Sequence, residues 1–128
     1  MNENLVDSCG WLEFLADGPN AHFFEKPLKQ IDTVIVPTLC LYEVFKSVLR
    51  QKNEDFALQA VAMMRQGRVV DLDTSIALSA AKISLSFYLP LADSIILATA
   101  RSHSAIVLTQ DADFKGIDGV QYIQAKKK

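Results

Sequence analysis

Short runs of apolar and β-branched residues alternate with longer helical segments along this chain, and this alternation most restricts its fold. The strand-like runs cover residues 4–6, 33–36, 68–72, 105–109 and 120–123. Because helical segments separate them, successive strands need crossover connections, which favour a parallel sheet with helices on both faces. The sequence therefore predicts an α/β fold: a three-layer α/β/α sandwich with a mainly parallel central sheet of four to five strands.

Six helices are predicted between these strands, at residues 10–16, 20–30, 38–51, 53–66, 74–88 and 92–102. Thr38, Asn53 and either Asp73 or Thr74 are the expected N-caps of three of them. No linker rich in Gly or Ser divides the chain, and half of its residues are hydrophobic. We expect a single domain over residues 1–128, with residues 126–128 as a solvated tail.

Composition and charge argue against several classes of protein. The net charge of −2 lacks the basic surplus of a protein that coats nucleic acid. The longest apolar stretch, near residues 89–100, is interrupted by Pro90 and Asp93 and is too short to span a bilayer. No secretory signal pattern opens the chain, so a cytoplasmic protein without a membrane segment is expected. Cys9 and Cys40 lack the close-pair spacing of a zinc site and are interpreted as free thiols.

Two predicted strands end at aspartates. Asp7 follows the first strand, and Asp111 follows the fourth. Ligands of such folds bind beyond the carboxyl ends of the strands, so both side chains are candidates for a site. Taken alone, Asp7 is more typical of an N-cap or a turn, although Ser8 could take the capping role and leave Asp7 free. Asp111 is equally compatible with a turn, but oxygen-rich loops of this kind also suit a hard cation.

Asp93 leads a helix that is apolar around nearly its whole circumference, and that helix should therefore be buried. The residues three and four positions later are Ile96 and Leu97, so the face that carries Asp93 points toward the core. A buried carboxylate is costly unless it caps a helix, pairs with a cation or binds a metal. Capping and metal binding both remain open from the sequence.

Glu43 lies on the polar face of the predicted helix over residues 38–51, together with Lys46 and Arg50. Periodicity predicts that this face is solvated. A polar helix face can also form the wall of a cleft, where Lys46 and Arg50 would be placed to contact a phosphate backbone.

Taken together, five segments in this order resemble the PIN domain family, and more narrowly the VapC-type toxin nucleases of toxin–antitoxin pairs. The resemblance covers nearly the whole chain. The segments that carry it are LVDSCGWLE at 5–13, YEV at 42–44, LADSIILATA at 91–100, and LTQDADF at 108–114, followed by GIDGV at 116–120.

The resemblance implies a metal-dependent endoribonuclease that hydrolyses RNA with Mg²⁺ or Mn²⁺. Carried over to this chain, the acidic site residues fall on Asp7, Glu43, Asp93 and Asp111. Of these, Asp7, Asp93 and Asp111 are expected to hold the metal, and Glu43 to help bind it through water or to position the nucleophile. Supporting positions then fall on Ser8, Thr109 and Asp113. Cys9 stands where many relatives carry a small polar residue, and no acidic ligand is missing.

The resemblance also implies two protein partners: a cognate antitoxin and a second copy of the chain in a homodimer. We expect the antitoxin to lay a peptide across the site. The aromatic residues of the early helices could form the receiving surface, although core packing is the alternative for them: Trp11, Phe14, Phe23 and Phe24.

Other functions remain in competition at this stage. A phosphatase with an aspartyl nucleophile usually carries a second aspartate two positions on, where this chain has Cys9. A phospho-receiver domain needs an acceptor aspartate at the end of a central strand, but the second strand ends at Val36 and Pro37. A PIN-fold binding module without catalysis and a housekeeping RNA-processing nuclease both stay open.

Overall fold

A computed structural model describes residues 3–127 and contains one five-stranded sheet. All four strand pairings are parallel, in the order β3-β2-β1-β4-β5. The strands are β1 (Glu3–Val6), β2 (Val34–Pro37), β3 (Arg68–Val70), β4 (Ala105–Thr109) and β5 (Val120–Tyr122). The predicted parallel α/β fold is confirmed, and the fifth strand lies at the edge as expected.

Six helices connect the strands: α1 (Ser8–Leu15), α2 (Ala21–Leu28), α3 (Thr38–Gln51), α4 (Glu54–Met64), α5 (Thr74–Phe87) and α6 (Leu91–Ser102). Single 3-10 turns occupy Ile31–Thr33 and Ala112–Phe114. From β1 the chain moves through β2 to β3, and it then crosses back to β4 and β5. Because crossovers are right-handed, α1–α4 cover one face and α5–α6 the other.

This reversal of direction places a topological switch point between β1 and β4, the position at which open α/β sheets bind ligands. The two strands are in register, with Val6 opposite Leu108. The Asp7 amide continues the ladder and donates to the Leu108 carbonyl at 3.0 Å. The residues that follow β1 and β4 are therefore neighbours in space.

Helix α6 is buried, as its apolar circumference predicts. All eight residues from Asp93 to Ala100 are buried, and α6 packs against both α5 and β4. Among residues 3–127 no single helix is long and apolar enough to cross a membrane. The pair α5 and α6 meets that test only when joined, and it bends by 116° at the break between them.

The predicted helix caps are partly right. Asn53 caps α4 by accepting from the Phe56 amide at 2.9 Å, and Asp73 caps α5 by accepting from Ile76 at 2.9 Å. Thr38 is not a cap: it is the first helical residue, and Pro37 precedes it as the cap. Proline fits that position because its fixed φ, here −62°, suits the extended residue before a helix.

Candidate metal centre

Asp7 is held rigidly at the end of β1, with 4% of its surface exposed. It is itself the N-cap of α1, since its Oδ1 accepts from the Ser8 amide at 2.7 Å. The alternative in which Ser8 caps the helix and leaves Asp7 free is therefore wrong. Capping does not occupy the whole carboxylate, because Oδ2 faces β4 and accepts from the Thr109 hydroxyl at 2.7 Å.

Three aspartates from three different elements converge at the switch point. Asp7 comes from the end of β1, Asp93 from the first turn of α6, and Asp111 from the loop after β4. Each offers an oxygen, and these ligand atoms all lie within 4.8 Å of one another. Asp93 does not cap its helix, because Pro90 is the N-cap and no side-chain cap bond forms. Its carboxylate, in a residue only 8% exposed, is left for the cluster.

Burial and mutual repulsion dominate the electrostatics of this cluster. Burial, followed by the charges of Asp111 and Asp7, raises the pKa of Asp93 to about 8. Burial also raises the pKa of Asp7, although hydrogen bonds from Thr109, Ser8 and Cys9 act in the opposite direction. No ion pair among residues 3–127 neutralises these carboxylates. An all-oxygen donor set with excess negative charge fits a hard divalent cation such as Mg²⁺ or Mn²⁺.

Glu43 belongs to the same region, which the polar periodicity of α3 did not predict. It is half-buried, and its Oε1 accepts from the Ser8 hydroxyl at 2.6 Å. Its carboxylate lies within 4.8 Å of ligand atoms of Asp7 and Cys40. The expectation of a solvated face is therefore wrong for Glu43, because α1 packs against α3 and brings Ser8 over it.

Thr109 links the two strand-end aspartates. Its hydroxyl donates to Asp7 Oδ2 and accepts from the Asp111 amide at 2.9 Å. The Asp113 amide donates to Asp111 Oδ1 at 2.9 Å and so fixes the turn, but Asp113 is exposed and its carboxylate lies outside the cluster of close ligand atoms.

Lys46 and Arg50 are exposed on α3, the helix that also carries Glu43, and they lie one and two turns after it. Lys46 Nζ lies 3.4 Å from the Tyr42 hydroxyl and 5.5 Å from the centroid of its ring. Neither basic residue forms an ion pair with a site carboxylate within residues 3–127.

Both thiols lie beside this site, a position that was not predicted from the sequence. Cys9 Sγ lies 3.4 Å from Asp7 Oδ2 and 3.4 Å from Thr109 Oγ1, and burial raises its pKa to about 12. Cys40 is fully buried, and both cysteines are free, as expected. One signal was available in the sequence: Cys40 and Glu43 are three residues apart on one helix and therefore share a face.

Comparison with known proteins assigns the family. The model of the PIN domain matches residues 5–120, which is most of the chain. This chain belongs to the PIN domain family. The matched segment contains all four carboxylates named above. A search of curated protein sequences returned no match.

Solved structures that resemble this PIN domain share its fold along almost its whole length. A toxin–antitoxin complex from Klebsiella pneumoniae has a TM-score of 0.77 at 23% identity, covering 93% of this chain and 96% of that one. DNA-bound VapBC from Salmonella typhimurium gives 0.75 at 17% identity, with 97% and 98% covered. VapC20 of Mycobacterium tuberculosis, described as a toxin that cleaves the sarcin-ricin loop, gives 0.75 at 15% identity, with 91% and 95% covered.

Proposed function

We propose that this PIN domain is a metal-dependent endoribonuclease and the toxin of a toxin–antitoxin pair. The observation that carries the proposal is the convergence of Asp7, Asp93 and Asp111 at the switch point of the sheet. The fold shared with VapC20, a toxin described as cutting the sarcin-ricin loop, supports RNA as the substrate class.

Asp7, Asp93 and Asp111 would hold the cation. Burial and the charge of Asp111 raise the pKa of Asp93, so a bound cation would relieve the repulsion between these carboxylates. Mg²⁺ or Mn²⁺ bound there supplies stabilisation of the negative charge that develops on the phosphate during hydrolysis. No nucleophilic Ser–His pair is needed for such chemistry.

The remaining site residues position this carboxylate cluster and the reacting water. Thr109 holds the Asp7 carboxylate and the Asp111 backbone in a fixed relation. Ser8 holds one oxygen of Glu43 at 2.6 Å, so the other oxygen can orient the attacking water. Lys46 and Arg50, exposed on the helix of Glu43, are proposed to contact the RNA backbone.

The aromatic surface predicted to receive an antitoxin does not exist in that form, because Trp11 and Phe24 are fully buried in the core. A different apolar groove, of about 590 Å³, lies between α1 and the α3–α4 pair and reaches Cys9 at the site. We propose that an antitoxin docks there; the toxin–antitoxin complexes among the similar structures support an antitoxin as the class of partner. The groove is lined by Leu12, Leu15, Val48, Phe56 and Met63.

The homodimer implied by the family resemblance has a candidate surface on the other side of the sheet. Leu85, Tyr88 and Leu91, at and between α5 and α6, are 80%, 91% and 78% exposed. Apolar side chains grouped in this way usually mark a protein contact. We assign this face to the second copy of the chain.

The proposed activity is tested by incubating purified protein and RNA with Mg²⁺, with Mn²⁺ and with EDTA, for wild type, Asp93→Asn and Asp32→Asn. Asp32 is an exposed matched control in the 3-10 turn before β2, at the amino-terminal end of the strand and away from the carboxyl ends that carry the site. We expect metal-dependent cleavage by wild type and Asp32→Asn, and a loss of about 10²-fold or more in Asp93→Asn.

Cleavage that survives EDTA or the Asp93 substitution would refute the metal-carboxylate mechanism. If wild type cuts no RNA but binds RNA or a partner protein tightly, the non-catalytic PIN module is the correct reading. Cleavage without any growth arrest on expression in the cell would instead favour a housekeeping RNA-processing nuclease.

A further inference from the structure

A second cluster of ligand atoms lies beside the three aspartates and contains sulfur. Cys40 Sγ, a carboxylate oxygen of Glu43 and a carboxylate oxygen of Asp7 all lie within 4.8 Å of one another. Cys40 and Glu43 come from successive turns of α3, and Asp7 comes from the end of β1. The two clusters therefore share Asp7 and differ in their remaining ligands.

The Cys40 thiol is buried at this position beside the Ser8 hydroxyl and two carboxylates. Its side chain is fully inaccessible, it forms no disulfide, and no residue within 3–127 accepts its proton. The Ser8 hydroxyl lies near it, but that hydroxyl donates its hydrogen bond to Glu43 Oε1 at 2.6 Å. Cys40 belongs to the hydrophobic core, but its Sγ also lies within 4.8 Å of carboxylate oxygens of Asp7 and Glu43.

The mixture of sulfur and oxygen ligands selects a particular class of cation. Mg²⁺ is a hard cation that takes oxygen ligands, so the sulfur of Cys40 does not contribute to its binding. Zn²⁺ and Cd²⁺ accept thiolate and carboxylate together, and Zn²⁺ commonly has three protein ligands and one open position. Half-buried Glu43 provides the side from which a cation can enter.

We propose that Asp7, Cys40 and Glu43 form a site for a thiophilic divalent cation of the zinc class, and that its occupation inhibits RNA cleavage. The inhibitory part rests on the proposed nuclease function. Binding forms a metal–sulfur bond and releases the Cys40 proton to solvent. Asp7 would then coordinate the zinc-class cation and not the cation of the three aspartates, and Glu43 could no longer orient water. Binding of the zinc-class cation therefore weakens binding of Mg²⁺ at the three aspartates.

The binding part is tested without RNA by titrating the protein with Cd²⁺ and recording the ultraviolet absorption of the cadmium–thiolate bond. The variants are Cys40→Ser and, as the matched control, Cys9→Ser. We expect the band with one Cd²⁺ per chain in wild type and in Cys9→Ser, and no band in Cys40→Ser. Zn²⁺ should displace Cd²⁺ and abolish the band, whereas Mg²⁺ at the same concentration should not.

Two further measurements guard against a variant that only misfolds. Circular dichroism melting establishes that Cys40→Ser is folded, and Glu43→Gln keeps the thiol while removing one carboxylate. Glu43→Gln should retain the band at saturation but bind Cd²⁺ about tenfold or more weakly. Unchanged affinity in that variant, a band lost in Cys9→Ser, or no band in wild type would each overturn the site.

The inhibitory part is tested by adding Zn²⁺ to cleavage reactions that contain excess Mg²⁺. Wild type and Cys9→Ser should be inhibited, and Cys40→Ser should need at least about tenfold more Zn²⁺ for the same inhibition. Equal inhibition of all three proteins would refute regulation through Cys40. Because the cadmium band is read without RNA, failure of the nuclease proposal and failure of the cation site give different results.

Discussion

Replacing Asp93 by Asn should stabilise the fold at neutral and alkaline pH when divalent cations are absent. Burial, followed by the charges of Asp111 and Asp7, raises the pKa of Asp93 from 3.8 to about 8. The folded state therefore holds this proton more tightly than the unfolded chain. The stability that protonation contributes is complete below the unfolded value, and it is lost as the pH rises through the folded value.

The size of the effect follows from the shift. One pKa unit corresponds to about 1.4 kcal/mol of unfolding free energy. For a single group whose pKa is 3.8 in the unfolded chain and about 8 in the folded one, the loss between pH 5 and pH 8 corresponds to almost three pKa units. That gives an upper limit of about 4 kcal/mol. Because part of the shift comes from the charges of Asp111 and Asp7 and not from burial alone, we expect about 2–4 kcal/mol. For a domain of this length the corresponding change in Tm is about 3–5 °C per kcal/mol.

Urea denaturation in EDTA at several values between pH 5 and pH 8 measures this prediction. The difference in unfolding free energy between Asp93→Asn and wild type should grow with pH, because the variant lacks the titrating group. Asp32→Asn changes an exposed residue at the amino-terminal end of β2, away from the cluster, and should show a constant difference. If the difference for Asp93→Asn is also constant, burial and the neighbouring charges do not raise the pKa of Asp93. In a separate measurement, added Mg²⁺ should stabilise wild type more than Asp93→Asn.

Two further substitutions test the framework of the site. Thr109→Val removes the hydroxyl that donates to Asp7 and accepts from the Asp111 amide, so Mg²⁺ affinity measured by calorimetry should fall about 10–100-fold while the fold is kept. Unchanged affinity would show that Thr109 does not orient the ligands. Gly10→Ala would place a Cβ 2.6 Å from the Phe24 ring, and urea denaturation should show a loss of about 1–3 kcal/mol. An unchanged free energy of unfolding would show that the Phe24 ring can shift away from the added Cβ without cost.

Much of the fold was predictable because its signals are local. Strand β4 was predicted with both its ends, since a β-branched apolar run is bounded by polar residues on each side. Strand β3 was predicted to reach Leu72 but ends at Val70, because only three of its residues find partners on β2. The burial of α6 followed from its apolar circumference and in turn identified Asp93.

Local sequence patterns could not predict that Glu43 and Cys40 lie at the site; Glu43 was named only through the family resemblance. Periodicity states which residues share a face of α3, but it does not state what packs against that face. The docking of α1 on α3 is a long-range contact, and it partly buries Glu43, whereas Lys46 and Arg50 on the same face stay exposed. For the same reason the absence of a zinc spacing in the sequence did not exclude a thiol–carboxylate cluster assembled by the fold.

Asp7 contributes both to the stability of the fold and to the proposed chemistry, and a substitution of Asp7 changes both at once. It caps α1, accepts from Thr109 across the switch point, and belongs to both ligand clusters. Removing its charge would relieve repulsion within the clusters, but it would also weaken a cap that is worth about 1 kcal/mol. These effects oppose each other in any stability measurement. Asp93 lacks a capping role, so its substitution is the one that reports the electrostatics of the metal centre alone.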